Sequence, residues 1–126
     1  MKRSRPRRRR KGTAAALARE CDALWSQLVR ARGSCEVGGA CNGPLQGAHG
    51  FSRRYRGTRW LLINGFCLCA KHHVSYTHDP LGWDMWLRTT WGLPVYDELR
   101  YRALKVTKPD LPAFLASLKA EHRKIG

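Results

Sequence analysis

The sequence predicts a mostly helical α+β fold, with a single domain at residues 13–126 and a basic arm at residues 1–12. Apolar residues recur at helical spacing in several segments, and two short segments near the middle of the chain have the pattern of strands. A chain of 126 residues has room for only one modest hydrophobic core. We therefore expect a metal site to add to its stability.

The first predicted helix covers residues 13–31 and ends before Gly33. Thr13 precedes a run of good helix formers, which suits it to cap the first turn. Apolar residues follow at roughly helical spacing, at Leu17, Leu24, Leu28 and Val29. Cys21 lies on this helix, and we interpret it as a small core residue.

Residues 33–47 are rich in glycine and also contain Asn42 and Pro44, which predicts an irregular loop. A short strand then carries His49 into an arginine-rich turn at residues 52–58. The apolar run Trp60–Ile63 is predicted to be the returning strand.

Four helices are predicted beyond this pair of strands. The first covers residues 69–77 and closes before Asp79 and Pro80, since the residue ahead of a proline is biased away from helical angles. The others cover residues 81–91, 95–106 and 110–124, the last with Pro112 in its first turn. Three tryptophans lie on the second of the four helices, and we interpret them as core residues.

Three cysteines and a histidine have the pattern of a structural zinc site, namely Cys35, Cys41, Cys69 and His72. Structural zinc takes four thiolate or imidazole ligands in a tetrahedron, usually as two short-range pairs. Cys69 and His72 form one pair, and Cys35 and Cys41 form the other. The spacing between Cys35 and Cys41 is longer than in a usual zinc knuckle, but Gly38 and Gly39 allow the loop to fold back. The alternative is a set of reduced, unliganded thiols. Cys67 is predicted to pack in the core instead.

The charge of the chain predicts a polyanionic partner. It carries 24 basic and 9 acidic residues, for a net charge of +15, and eight of the basic residues lie between Lys2 and Lys11. We expect this arm to be disordered until phosphates neutralise it, with Arg7, Arg8, Arg9 and Arg10 contacting DNA. The alternative is a solubilising or localisation tail.

Several short motifs together resemble the HNH (ββα-metal) endonuclease family, particularly its small phage-type members. The resemblance covers about residues 34–82. It rests on Gln46-Gly47-Ala48-His49, Ser52-Arg53-Arg54, Asn64 and Leu68-Cys69-Ala70-Lys71-His72-His73. It implies a ββα-metal core with a zinc-stapled loop, flanked by the N-terminal helix and the C-terminal helices.

The resemblance also implies the roles of individual residues in phosphodiester hydrolysis. His49 matches the general base, Asn64 matches the residue that orients it through the strand-to-helix turn, and His73 matches a ligand of a catalytic Mg²⁺ or Mn²⁺. Adjacent helix positions differ by roughly 100°, so His72 can hold the structural zinc while His73 faces the active site. Four arginines are expected to grip the DNA phosphates, namely Arg53, Arg54, Arg56 and Arg59. A solvated charged turn is the alternative for them.

One position departs from the family pattern. Many members have Asp or His directly before the base as a second metal ligand, whereas this chain has Ala48. The catalytic metal would then need help from His78, Asp79, Asn64 or the DNA phosphate. Three aspartates elsewhere, Asp84, Asp97 and Asp110, are too scattered to form a carboxylate site. The family also normally has Cys where His72 stands, an exchange that zinc tolerates.

Two functions from different classes fit these features. The first is a metal-dependent DNA endonuclease that nicks DNA, cuts it during phage packaging or homing, or resolves junctions. The second is a non-catalytic, zinc-stapled nucleic-acid-binding module. The pair His49 and Asn64 favours the enzyme, because a binding module needs no base. An RNA-associated zinc protein is a third possibility, without an RNA-binding motif to support it.

The expected setting is the cytoplasm, that of the host cell if the protein is phage-encoded. No apolar run approaches the roughly 20 residues of a membrane span, and the N-terminus has charge without an apolar segment. Cutting both strands would require a homodimer or two sequential nicks.

Overall fold

A computed structural model describes residues 12–105 and 108–125. The prediction of an α+β fold is confirmed. The elements in chain order are α1 (Ala14–Arg30), β1 (Leu45–His49), a 3-10 turn (Leu62–Asn64), β2 (Gly65–Cys69), α2 (Ala70–Thr77), α3 (Pro80–Trp91), α4 (Leu93–Leu104) and α5 (Leu111–Ile125). The expectations for Arg7, Arg8, Arg9 and Arg10 lie outside the described residues.

Helix α1 packs against α5 on one side of the molecule. Thr13 caps α1, since its hydroxyl accepts a hydrogen bond from the Ala16 amide at 3.2 Å. The buried residues of α1 recur every four positions, so they form one stripe that faces the core: Cys21, Trp25 and Val29. The stripe meets Leu111, Leu115 and Leu118 of α5. The prediction that Cys21 is a core residue is confirmed.

Strands β1 and β2 form an antiparallel hairpin in which Leu45 pairs with Cys69 and His49 pairs with Gly65. The prediction of a returning strand at Trp60–Ile63 is wrong. Residues Leu62–Asn64 form a 3-10 turn, in which the Asn64 amide donates to the Leu61 carbonyl at 3.1 Å. The segment before this turn contributes to the core without forming a strand, because Trp60 is buried against α1 and α5.

All five residues of β2 are buried. Cys67 joins the core on the α1 side of the hairpin, while Phe66 and Leu68 pack with Leu87 of α3 on the other side. A strand covered on both faces has no polar alternation, so its sequence lacks the usual strand signature.

The loop ahead of β1 is shorter than predicted, because the strand already begins at Leu45. Gly38 and Gly39 both have positive φ, of 74° and 76°, a conformation that side chains disfavour, and they turn the loop back as predicted. Glu36 fastens the loop to the open edge of β2: its carboxylate accepts from the Cys67 amide at 2.6 Å, and its own amide donates to the Cys67 carbonyl at 2.8 Å.

Candidate metal centre and catalytic cleft

The four predicted zinc ligands come together in one cluster. The ligand atoms of Cys35, Cys41, Cys69 and His72 all lie within 4.8 Å of one another. The Nδ1 atom of His72 is 3.5 Å from the sulfur of Cys35, 3.7 Å from that of Cys41 and 3.1 Å from that of Cys69. Tetrahedral ligation at ordinary Zn–S and Zn–N bond lengths places sulfur and nitrogen about 3.6 Å apart. The cluster therefore has the donor set and the spacing of a zinc site.

Local structure brings these ligands together. Cys69 ends β2 and caps α2, so its sulfur accepts from the His72 amide at 3.5 Å and His72 lies one turn along the same helix. The facing loop is tied to the start of α2 by two hydrogen bonds, from the Ala70 amide to the Pro44 carbonyl and from the Lys71 amide to the Asn42 carbonyl.

Electrostatics within the cluster favour a cation. Burial would raise the pKa of the Cys35 thiol, but the amides of Cys69, Gly38 and Val37 donate to it and lower the pKa to about 6. The pKa of Cys41 is raised to about 11, by desolvation and then by the neighbouring Cys35 and Cys69 sulfurs. Three thiolates in one cluster repel one another, and a divalent cation removes this conflict.

Cys67 does not belong to the cluster. Its side chain is fully buried in the core, and burial raises the pKa of its thiol. The prediction that Cys67 packs in the core is confirmed.

Neighbouring histidines on α2 face different sites. His72 points into the cysteine cluster, whereas His73 lines a cleft between α1 and α2. The cleft has a volume of about 610 Å³ and is also lined by His49, Asp22, Trp25, Ser52 and Arg53. A smaller cavity of about 90 Å³ shares His49, His73 and Thr77 with it and extends towards Ala48, Tyr76 and Trp83. The structure thus brings His49 and His73 to one place.

The imidazole of His49 is held on two sides. Its Nε2 atom lies 3.0 Å from the carbonyl oxygen of Arg59, and its ring stacks on Trp25 with centroids 3.9 Å apart and planes 8° apart. A carbonyl can only accept, so Nε2 carries the proton and Nδ1 keeps its lone pair. Burial is the main reason that the pKa of His49 is lowered to about 4. The hydrogen bond to the Arg59 carbonyl raises this pKa, and the positive charge of Arg53 lowers it. A pKa of about 4 leaves the imidazole of His49 neutral at pH 7.

His73 is also half-buried, and burial lowers its pKa. Its Nδ1 atom lies 2.7 Å from the Oε1 atom of Gln46 on β1. In the sequence, Gln46 stands out only as part of a motif. The one signal that could have found it is a polar residue within a short, partly buried strand.

Asn64 acts on the backbone that follows His49. Its side chain is fully buried, accepts from the Phe51 amide at 2.8 Å and donates to the Phe51 carbonyl at 3.0 Å, while its own carbonyl accepts from Gly50. The position of Asn64 differs from the expectation, since it precedes β2 instead of lying in a strand-to-helix turn. Its side chain fixes the exit of β1, and the carbonyl of Arg59 orients the imidazole.

The four arginines of the predicted phosphate grip differ in their surroundings. Arg59 is 15% exposed and binds Asp22 of α1 with two hydrogen bonds, of 2.6 and 3.1 Å. Arg53 is 63% exposed, reaches the same carboxylate at 3.3 Å and lines the cleft. Arg54 lies over the ring of Tyr55 at 4.9 Å, and both it and Arg56 are exposed. Arg59 therefore joins the loop to α1, and Arg53 is the arginine at the cleft.

The remaining metal candidates lie apart from the cleft. His78 is exposed at the C-terminal end of α2 and lines neither of the two cavities. Asp79 caps α3, Asp84 binds Arg88 and Tyr96, and Asp110 caps α5. Ala48 is buried among apolar residues and borders the smaller cavity.

Comparisons with known proteins give no match, whether to family models, to curated proteins or to solved structures. Within residues 12–105 and 108–125, no helix combines the length and the apolar character that crossing a bilayer requires.

Proposed function

We propose that the protein is a metal-dependent DNA endonuclease with His49 as the general base. The observation that carries the proposal is the shared cleft, which is lined both by a neutral His49 with a free Nδ1 lone pair and by His73. A histidine that only packs in a core has no need of a solvent-accessible cleft. The resemblance of this segment to HNH nucleases agrees with these roles.

Hydrolysis of a phosphodiester requires a proton acceptor for water. In the proposed step the Nδ1 atom of His49 takes one proton from water while the water oxygen forms a bond to phosphorus and the phosphorus–oxygen bond to the leaving group breaks. The leaving oxygen takes a proton from solvent. Trp25 and the Arg59 carbonyl hold the imidazole in place, and Asn64 holds the backbone after it.

Residues at the cleft fit a divalent cation in part. His73 offers an imidazole nitrogen, and Thr77 and Ser52 add hydroxyl groups to the lining. A bound Mg²⁺ or Mn²⁺ would supply charge to stabilise the phosphorane and the leaving oxygen. With few protein donors, water and the DNA phosphate would complete its coordination.

The zinc cluster has a structural role in this proposal. It joins the loop ahead of β1 to the start of α2, and α2 carries His73 one residue beyond His72. Zinc would thus fix the register of the helix that lines the cleft. Zinc binding would also add to the folding free energy of a 126-residue chain whose hydrophobic core is modest.

The test is incubation of purified protein with supercoiled plasmid and with a synthetic four-way junction, with and without Mg²⁺ or Mn²⁺. We expect metal-dependent nicking or cutting of at least one substrate, and no cutting in EDTA. His122→Ala is a matched control, because His122 lies on α5 and lines neither cavity. Binding without cleavage of either substrate under every metal condition would favour a zinc-stapled nucleic-acid-binding module.

A further inference from the structure

Gln46 lies on strand β1 and contacts His73, one of the residues that line the cleft. It pairs with Leu68 in the hairpin, so the sheet fixes its backbone. The next residue, Gly47, faces α1, since a Cβ there would lie 3.1 Å from the ring of Trp25. Side chains alternate along a strand, so Gln46 faces the opposite side of the hairpin, where it meets His73 of α2.

The contact indicates which nitrogen of His73 is free. Its length of 2.7 Å is that of a strong hydrogen bond, and the atom of Gln46 that faces the ring is the amide oxygen, an acceptor. A neutral imidazole with its Nδ1 proton donated to this oxygen keeps its lone pair on Nε2. Histidines that bind metals commonly donate their other ring N–H to a carbonyl or carboxylate in this way.

We propose that Gln46 is the positioning residue of His73: it accepts the Nδ1 proton and so presents Nε2 as the ligand atom for the cleft cation. This inference rests on the proposed function. A neutral amide is a suitable acceptor here, because it fixes the tautomer without adding a negative charge beside the ring.

The first test measures the tautomer directly, without the cleft metal or DNA. Ring nitrogen chemical shifts of His73 are recorded by NMR on zinc-loaded protein at pH 8 in the presence of no other divalent ion, with His73→Ala for assignment. We expect a protonated Nδ1 and an unprotonated Nε2 in the wild-type protein and in Gln46→Glu, which keeps an acceptor. Gln46→Met has a similar length and no amide, so the ring should show a mixture of both tautomers.

The second test measures Mn²⁺ binding by electron paramagnetic resonance. We expect Gln46→Met to bind Mn²⁺ about 10- to 100-fold more weakly than the wild-type protein. Gln27→Met is the matched control, because Gln27 is exposed on α1 and does not line the cleft. Equal zinc content in all variants shows that any difference does not arise from misfolding.

Either of two results would overturn the inference. One is a wild-type His73 with its proton on Nε2, and the other is an unchanged tautomer and Mn²⁺ affinity in Gln46→Met. The proposed function fails separately: if Gln46 fixes the tautomer as expected but no DNA is cleaved with any metal, the positioning contact stands and the nuclease does not. A wild-type protein that binds no Mn²⁺ would overturn the ligand role of His73, and the tautomer measurement would still decide the role of Gln46.

Discussion

The surroundings of His49 keep its imidazole neutral, and this makes the stability of the fold depend on pH. Burial is the largest cause of its lowered pKa of about 4, compared with an ordinary value of 6.5. An unfolded chain accepts this proton near pH 6.5, whereas the folded protein resists it down to about pH 4. The stabilisation is therefore complete above pH 6.5 and is lost as the pH falls towards 4.

We accordingly expect the melting temperature to fall between pH 7 and pH 5 by more in the wild-type protein than in His49→Gln, whose side chain does not titrate. Thermal unfolding of both proteins at the two pH values measures the difference. Protonation of His73 and of the cysteines affects both proteins alike, so the comparison isolates His49. Equal pH dependence in the two proteins would contradict the lowered pKa.

Arg53 and Arg59 share Asp22 as a partner but should respond differently to replacement. Arg59→Ala removes a partly buried pair of hydrogen bonds and leaves the carboxylate less satisfied, so we expect a loss of about 1–3 kcal/mol in the free energy of unfolding. Arg53→Ala removes an exposed contact, and its effect on stability should stay within about 0.5 kcal/mol.

For DNA affinity we expect the opposite order. Arg53→Ala should weaken DNA binding more than Arg59→Ala does, because the Arg53 side chain lines the cleft. Urea unfolding and a binding titration at fixed salt measure the two effects. The assignment would be wrong if Arg53→Ala proved as destabilising as Arg59→Ala and left DNA affinity unchanged.

Among the elements, the cysteine loop, β2 and α2 meet at the cluster, so we expect this junction to depend on a bound ion. We expect wild-type protein purified without added metal to contain about one zinc per chain, and Cys41→Ser to lose most of it. Cys67→Ala is the matched control, since it removes a thiol from the core and none from the cluster. Elemental analysis decides, and a wild-type protein without zinc would contradict the site.

The helices could be predicted because each carries a local signal. The sequence shows the apolar stripe of α1 and the threonine that caps this helix. It also shows the prolines in the first turns of α3 and α5. The same is true of the cluster, since Cys69 and His72 are spaced for one helical turn. Adjacent His72 and His73 were expected to face different sides, and His72 lies in the cysteine cluster while His73 lines the cleft.

The returning strand and the contacts in the cleft could not be predicted, because long-range packing decides them. Trp60–Ile63 has a strand-like composition, but Trp60 is buried in the core and β1 pairs instead with the buried residues of β2. Nothing local connects Gln46 with His73, Trp25 with His49 or Asp22 with Arg59, which are 27, 24 and 37 positions apart. Sequence patterns singled out the candidate site residues, whereas the residues that contact and orient them could be found only from the fold.

At the scale of the whole molecule, the charge is spread over the domain as well as the arm. Without Lys2–Lys11 the chain keeps 16 basic residues against 9 acidic residues, a net charge of +7. A polyanion should therefore still bind the domain alone.

Deleting residues 2–11 should weaken DNA binding for all sequences alike and flatten the dependence of log K on log salt, by about 0.9 for each phosphate that the arm neutralises. Binding titrations at several salt concentrations give the two slopes. Cleavage by the shortened protein should persist once DNA is saturating. Equal slopes would show that the arm neutralises no phosphates.

The central claim is that His49 and His73 have separate roles in one cleft. Its most direct test is the rate of supercoiled plasmid cleavage by wild-type protein, His49→Ala and His73→Ala over a range of Mn²⁺ concentrations. Loss of a general base typically costs about 10²–10⁴-fold in rate and is not repaired by more metal, whereas loss of a metal ligand is partly offset by excess Mn²⁺. We predict that both variants are defective and that only His73→Ala recovers activity as Mn²⁺ rises. Cleavage by His49→Ala at the wild-type rate would contradict this claim.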